Sequence, residues 1–312
     1  MIGTGYWGKK HIEEYNRIGI TPVIFDLDQS RIKEIQQHYK VNIASKFEDI
    51  LKDESIVGIN VCTPNKTHYN VAKQALLHNK NVLLEKPMTL NHKNALELIK
   101  IAQDKNKTLV VGHIYRFNNA IKYAKELIEN NKLGQVYLVS MRWSNLEPVF
   151  EDRDVLFDLA PHPFDILDYL FNEKIDNLYA IGKSYRNNNG EEVVFINGNI
   201  NNILIHLEVN WLTPPKTREI TITGDLATIV INSSQQIVQV FSNNHSYFPE
   251  IIPNNTIQDE LLNFMKCIKG EEDTIVDGTV GARIIETIEM VKESLIKGEK
   301  ISRKKRLVID SN

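Results

Sequence analysis

Short apolar runs alternate with helical periodicity through the first third of the chain. Pro22-Val23-Ile24-Phe25, Ile56-Val57-Gly58-Ile59-Asn60-Val61-Cys62, Asn81-Val82-Leu83-Leu84 and Thr108-Leu109-Val110-Val111 read as strands. Between them, Ile32, Ile35 and Tyr39 make one helical stripe, Val71 and Ala75 a second, and Ala95, Leu98, Ile99 and Ala102 a third. Asp28 and Thr67 stand where N-caps belong. Continuous apolar strands between amphipathic helices predict a parallel sheet covered on both faces.

After about residue 130 the period changes. Ile203, Ile205, Leu207, Val209 and Trp211 alternate with His206, Glu208 and Asn210, which predicts an antiparallel sheet with one face on a core. Asn187-Asn188-Asn189-Gly190 and Asn201-Asn202 read as hairpin turns. A helix is expected near Pro161–Phe171, and two helices close the chain, the last with Ile284, Ile288, Val291 and Leu295 in one stripe. The expected fold is α/β: an N-terminal Rossmann dinucleotide-binding domain over residues 1–116, then a C-terminal α/β domain over 117–312 with a large open, mostly antiparallel sheet.

A first Rossmann strand needs about five residues, and only Met1 and Ile2 precede Gly3. Either the true start lies upstream or the strand is unusually short.

Composition narrows the classes. With 42% hydrophobic and 25% charged residues the chain has the make-up of a soluble globular protein. A net charge of −3 implies no general pull toward nucleic acid or an anionic membrane. The basic run Arg303-Lys304-Lys305-Arg306 reads as a solvated tail. No apolar run is long enough to span a membrane and no signal peptide is recognisable, so a cytoplasmic location is expected. Cys62 and Cys267 are expected as buried thiols of a reducing compartment. No metal site is expected.

The chemistry begins at Gly3-Thr4-Gly5-Tyr6-Trp7-Gly8, which fits G-x-G-x-x-G. The first glycine permits the tight turn, the second lets the backbone approach a pyrophosphate, and the third lets helix and strand pack closely. Asp26 ends the next strand, where its carboxylate can accept from the adenosine ribose hydroxyls and repel a 2′-phosphate; NAD is therefore favoured over NADP. Arg31 nearby weakens that preference. Thr63-Pro64-Asn65, followed by His68, and Glu85-Lys86-Pro87 each follow a strand at the carboxyl edge, where open α/β sheets bind ligands. A lysine there can act as general acid or base once its surroundings bring its pKa toward neutrality.

These motifs, together with Gly112-His113-x-x-Arg116-Phe117-Asn118, resemble the glucose–fructose oxidoreductase/inositol dehydrogenase family, often called Gfo/Idh/MocA. The resemblance extends over essentially the whole chain. It implies cofactor contacts from Gly3, Gly5, Tyr6, Trp7, Gly8, Asp26, Thr63, Pro64, Asn65, His68, Glu85 and Lys86. It implies substrate contacts from Arg116, Asn118, Arg153 and His162, and dimers or tetramers built through the second domain's sheet. The family's Asp-x-x-x-His pair corresponds to Asp158 and His162, with Pro161 placing a helix start between them. With Lys86 these make the implied catalytic set, His162 as base and Lys86 as the group polarising the oxygen. Arg153-Asp154-Val155-Leu156-Phe157-Asp158 and Val209-Asn210-Trp211-Leu212-Thr213-Pro214-x-Lys216-x-Arg218 are similar to the family's UDP-N-acetylglucosamine 3-dehydrogenase-like branch. That likeness makes Arg153, Lys216 and Arg218 candidates for a pyrophosphate, although exposed charges at a sheet edge fit the last two as well.

The implied reaction is NAD-dependent oxidation of a ring hydroxyl of a sugar or nucleotide-sugar. An NAD-dependent glycosidase, an inositol or free-sugar dehydrogenase and a non-catalytic sugar sensor are the alternatives on the same fold. Lys86, Asp158 and His162 together speak against the sensor.

Overall fold

A computed structural model describes residues 1–150, 153–186, 190–242 and 245–303. The chain forms two compact units. The first comprises Met1–Tyr123, Phe164–Ile166 and Ile251–Glu286; the second comprises Ala124–Pro163, Leu167–Glu250 and Thr287 onward. The first unit therefore extends past residue 116 and takes in a late stretch of the chain.

In chain order the first unit runs α1 (Tyr6–Arg17), β1 (Val23–Ile24), α2 (Gln29–His38), β2 (Asn42–Ile43), α3 (Phe47–Lys52), β3 (Gly58–Val61), α4 (His68–Leu77), β4 (Asn81–Glu85), α5 (His92–Asp104) and β5 (Leu109–Gly112). β1 pairs parallel with β2, and β3, β4 and β5 form a parallel three-strand ladder. Ile2 joins the two sets by parallel bridges to Phe25 and Val61. A single paired residue thus stands in the place of the expected five-residue first strand. The core gathers Ile12 and Tyr15 of α1, Ile24, Ile32, Ile35, Leu83 and Val110. Leu261 and Phe264, from α9 (Thr256–Lys269), complete it.

Local rules account for the helix ends. Asp28 caps α2 by accepting from Ser30 N. Thr67 does not cap α4: its hydroxyl donates to Thr63 Oγ1 and Pro64 O, and a 3₁₀ turn over Asn65–Thr67 leads into the helix instead. Asn118 accepts from Ala120 N and Ile121 N at the start of α6 (Asn119–Glu129).

Among the described residues the second unit is built on nine strands: β6 (Val136–Ser144), β7 (Asn177–Lys183), β8 (Val193–Ile200), β9 (Ile203–Asn210), β10 (Thr217–Gly224), β11 (Ala227–Asn232), β12 (Ile237–Ser242), β13 (His245–Tyr247) and β14 (Ile301–Ser302). Their order is β13-β12-β11-β10-β6-β9-β8-β7-β14, antiparallel except for β6 beside β9. Asn201, in the left-handed region at φ 49°, makes the tight turn from β8 to β9 as the Asn-Asn pair predicts. The other expected turn, at residues 187–189, lies outside the described residues, as do residues 304–306 of the basic run.

The alternation predicted for β9 is observed. Ile205, Leu207, Val209 and Trp211 are buried, and Trp143 of β6 is fully enclosed on the same side. The opposite face is open and carries Leu138, Tyr179, Ile181, Phe195, Leu204 and Phe241, all exposed. α7 (Val155–Leu159) and α8 (Pro161–Phe171) follow β6, and α10 (Gly278–Lys297) precedes β14. Ser294 of α10 accepts from Ala180 N of β7. Both cysteines are free and half-buried rather than fully buried, Cys62 at the end of β3 and Cys267 late in α9. Among the described residues no helix is long and apolar enough to cross a membrane.

Candidate active site

The first unit's carboxyl edge is built around the glycine loop. Gly3 has φ +86°, and a side chain there would meet the Cys62 carbonyl at 2.6 Å. A Cβ on Gly8 would lie 2.1 Å from the Gly3 carbonyl oxygen, so only glycine lets α1 leave the loop this closely. A Cβ on Gly5 would meet only Arg31 Nη1, at 3.7 Å. α1 begins with no side-chain cap and no acidic residue in its first turn. An open glycine before an uncapped helix N-terminus fits a pyrophosphate.

Asp26 closes the next strand. Its Oδ2 accepts from Thr4 N at 2.6 Å and Thr4 Oγ1 at 2.9 Å, and its Oδ1 accepts from Asp28 N at 2.9 Å. The carboxylate therefore ties the glycine loop to the strand it follows. Leu27 beside it is exposed, as is Tyr6. Trp7 packs edge-on to Tyr6, with ring centroids 5.5 Å apart.

Thr63, Pro64 and Asn65 follow β3, and Glu85, Lys86 and Pro87 follow β4. His68 stands between the two turns, 2.8 Å from Pro87 O through Nδ1 and 2.8 Å from Thr63 O through Nε2. It is buried, so it holds the turns from within rather than facing a ligand. Burial pushes its imidazole below the ordinary value, against the pull of the two carbonyls. Lys86 is 8% exposed.

Glu85 points inward. Its Oε2 accepts from Lys86 N at 3.1 Å, and its Oε1 lies 3.0 Å from His11 Nε2 on α1. A Cβ on Gly112 would come within 3.2 Å of this carboxyl. The Asn60 amide lies 3.2 Å from His11 Nδ1 and 3.0 Å from the Tyr15 hydroxyl. Burial opposes the His11 imidazolium, but Cys62 and Glu85 outweigh it and hold the ring well above its ordinary range. Burial likewise opposes the Glu85 carboxylate, and the His11 contact with the Lys86 charge holds it below its usual value. Ligand-type atoms of His11, Cys62 and Glu85 lie within 4.8 Å of one another. Although His11 Nε2 and Glu85 Oε1 are 3.0 Å apart, both are buried with no hydrogen-bond partner among the described residues, and Cys62 Sγ lies 3.8 Å from His11 Nδ1.

Deeper in the same unit, Arg116 is buried and pairs through Nε with Asp165 Oδ1 at 2.7 Å. Among the described residues, Asp165 Oδ2, both ring nitrogens of His113 and both carboxyl oxygens of Glu260 are buried with no hydrogen-bond partner. Burial pushes the Glu260 carboxyl well above its ordinary range, reinforced by Glu85. Arg116 and Asn118, implied as substrate contacts, are thus tied to a buried carboxylate and to a helix start.

A second cluster lies in the second unit. Asp158 is in α7 and His162 is the second residue of α8, so a helix start falls between them as Pro161 predicts. Trp211 Nε1 donates to Asp158 Oδ2 at 3.1 Å. Arg153 sits 4.0 Å from Asp158 Oδ1 and 4.2 Å from the centre of the Phe150 ring. Phe150 in turn meets Trp211 edge-on at 5.2 Å. Arg218 is buried and donates to Ser144 O, Thr217 O and Asn145 Oδ1, while Lys216 is exposed. Of the two cations at the start of β10, an interior strand of the sheet, Arg218 is occupied within the fold and Lys216 is exposed.

His11, Asp165 and Glu260 belong to none of the motifs that mark the site in the sequence. The available signal was a polar residue on an apolar stripe, as His11 beside Ile12 and Tyr15.

Residues 1–113 match the oxidoreductase family GFO_IDH_MocA, NAD-binding Rossmann fold, and residues 121–230 match the GFO/IDH/MocA C-terminal domain. UDP-N-acetylglucosamine 3-dehydrogenase of Acidithiobacillus ferrooxidans is 29% identical over 182 residues, 58% of this chain and 56% of that protein. Myo-inositol 2-dehydrogenase of Thermotoga maritima is 26% identical over 192 residues, 58% of this chain and 57% of that protein. The matched stretches span about half the length of these curated relatives. The solved structure of the A. ferrooxidans protein has a TM-score of 0.85 at 21% identity, covering 94% of this chain and 96% of that one. The WlbA dehydrogenase of Bordetella pertussis, solved with NADH and UDP-GlcNAcA, has a TM-score of 0.83 at 18% identity, covering 97% and 96%. At these identities the two structures speak to the fold.

Proposed function

The chain belongs to the GFO/IDH/MocA oxidoreductase family, and on that premise we propose that it is an NAD-dependent dehydrogenase of a ring hydroxyl on a sugar or nucleotide-sugar. The leading substrate is a UDP-linked N-acetylhexosamine oxidised at C3. The observation that carries the reading is the position of Lys86: it follows β4 at the carboxyl edge of the sheet whose glycine loop fits a pyrophosphate. The A. ferrooxidans and B. pertussis relatives support a nucleotide-sugar, and the T. maritima relative keeps inositol in view.

NAD, once bound, supplies the hydride acceptor. The glycine loop and the start of α1 hold its phosphates, and Asp26 favours a ribose over a ribose phosphate. Lys86 polarises the oxygen that becomes the carbonyl. His162 takes the hydroxyl proton, with Asp158 orienting it from a carboxylate that Trp211 holds in place. Arg153 and the exposed Lys216 attract the substrate's pyrophosphate. The open sheet face, with its exposed Phe195, Leu204 and Phe241, meets a second copy to form a dimer or tetramer. Two free thiols suit a reducing, cytoplasmic setting.

The test is an absorbance screen for NADH formation over UDP-sugars, free sugars and inositols. Lys86→Ala should lower turnover by about 10²–10⁴ while NADH affinity stays within about threefold. Normal turnover in that variant overturns the assignment. Release of free sugar with no net NADH points instead to a glycosidase.

A further inference from the structure

Phe150 has no part in the chemistry given above, yet a closed ring of contacts in the second unit passes through it. The Arg153 guanidinium lies over its ring, 4.2 Å from the centre, and Trp211 meets it edge-on at 5.2 Å. Trp211 Nε1 donates to Asp158 Oδ2 at 3.1 Å, and Asp158 Oδ1 faces Arg153 Nη1 at 4.0 Å. The last link is the loosest: at that distance it is attraction between charges, beyond hydrogen-bond reach. We propose that Phe150 is a positioning residue that seats Arg153 as an exchangeable partner of Asp158. A phosphate or pyrophosphate ester on the substrate takes the guanidinium, and Asp158 is released to act on His162. This rests on the reading of Asp158 and His162 as a catalytic pair, and it deepens that reading: the substrate is an anionic sugar ester whose charged end readies the pair.

The geometry of the stack favours exchange. A guanidinium lying on an aromatic ring uses its face, while its N–H donors point outward in its own plane, where they match a phosphate two at a time. The ring beneath therefore costs the cation none of its donors and limits its swing. Trp211 is 1% exposed, so the support beneath Phe150 is fixed, whereas the Arg153 side chain is 34% exposed and within reach of an arriving anion. A phosphate ester carries more charge than a carboxylate and can close to a bonding distance of about 2.7–2.9 Å, which Asp158 does not reach. When Arg153 leaves, Asp158 Oδ2 keeps the indole N–H and the carboxylate keeps its orientation. A neutral sugar offers Arg153 no such partner and leaves it beside Asp158.

Calorimetric titrations of UDP and of inorganic pyrophosphate into the full-length protein decide the matter. NADH is kept saturating so that the glycine loop is filled, and uridine is the uncharged control. The parent should bind both anions, and uridine at least about tenfold more weakly than UDP. Phe150→Ala should weaken UDP about tenfold, Phe150→Tyr should keep it within about twofold, and Phe150→Ala added to Arg153→Ala should cost nothing further. Asp158→Asn should tighten UDP about three- to tenfold, because a competitor for Arg153 is gone. Packing damage alone would weaken UDP in Asp158→Asn and would leave the two alanine losses additive. Either result overturns the proposal, as does a Phe150→Ala or Asp158→Asn affinity that stays put, or a parent that binds neither anion. If Asp158→Asn does not fold by circular dichroism, the parent decides. Phenylglyoxal modification of Arg153, read by peptide mass spectrometry, should slow at least about threefold under saturating UDP and not under uridine. An unchanged rate refutes the seating. No readout needs turnover, so failure here and failure of the Lys86→Ala turnover test are separate results.

Discussion

Asp26 is expected to hold the fold together as much as it selects the cofactor. Replacing it with alanine removes the acceptors of two backbone N–H groups, Thr4 at 2.6 Å and Asp28 at 2.9 Å, and of the Thr4 hydroxyl at 2.9 Å. Thr4 is buried at 4% exposure, so its N–H cannot turn to water. An orphaned buried donor costs about 1–3 kcal/mol, and bonds to a charged acceptor are worth about 1.5–3 kcal/mol each. These overlap, and a net loss of about 2–4 kcal/mol is reasonable against a total stability of about 5–15 kcal/mol. For a unit of this size that is a fall in Tm of about 5–15 °C. Asp26→Asn keeps one acceptor but turns an amide N–H toward a donor, so it should lose about half as much. The assay is thermal unfolding by circular dichroism with and without NADH, alongside fluorescence titrations with NADH and NADPH. Both variants should narrow the gap between the two cofactors, because Arg31, whose guanidinium lies near Gly5, then meets a 2′-phosphate without an opposing carboxylate. A Tm within about 1 °C of the parent would refute the structural role of the carboxylate.

Three further outcomes are expected. Gly8→Ala forces a methyl against the Gly3 carbonyl at 2.1 Å, so α1 must shift, with a loss of about 2–3 kcal/mol in urea denaturation and of measurable NADH binding. Glu260 holds a proton in the folded chain that the unfolded chain releases, because burial raises its carboxyl. Its penalty is absent in acid and grows as pH rises above the unfolded value, so Glu260→Gln should match the parent near about pH 4 and exceed it in stability by about pH 8. Leu204→Asp on the open sheet face should leave the fold intact and shift the species seen by light scattering toward monomer.

Where each interaction is local, the sequence was readable. Asp28 caps α2 because its side chain reaches two residues ahead, and Asn201 turns the β8–β9 hairpin because asparagine tolerates the left-handed region. Pro161 starts α8, and the four apolar runs of the first third are strands. What escaped depends on partners far away in the chain. Thr67 looks like a cap, yet Thr63 and Pro64 capture its hydroxyl first. The period of α9 shows an apolar face but not which core receives it, and Leu261 and Phe264 enter the first unit's. The candidate site divides in the same way. The glycine loop and Lys86 were visible as motifs, whereas the inward commitments of Glu85, Arg116 and Asn118 follow from burial alone.

The return of Ile251–Glu286 to the first unit has a consequence for biosynthesis. On the ribosome, residues 1–123 emerge early with a core that still lacks Leu261 and Phe264. Each of those side chains contributes about 1.5–3 kcal/mol when buried, a large part of a marginal balance. The nascent dinucleotide-binding unit must wait with an exposed apolar seam while more than a hundred residues of sheet are translated. A chain stopped at Glu250 would be a substrate for chaperones and proteases, not a smaller working domain.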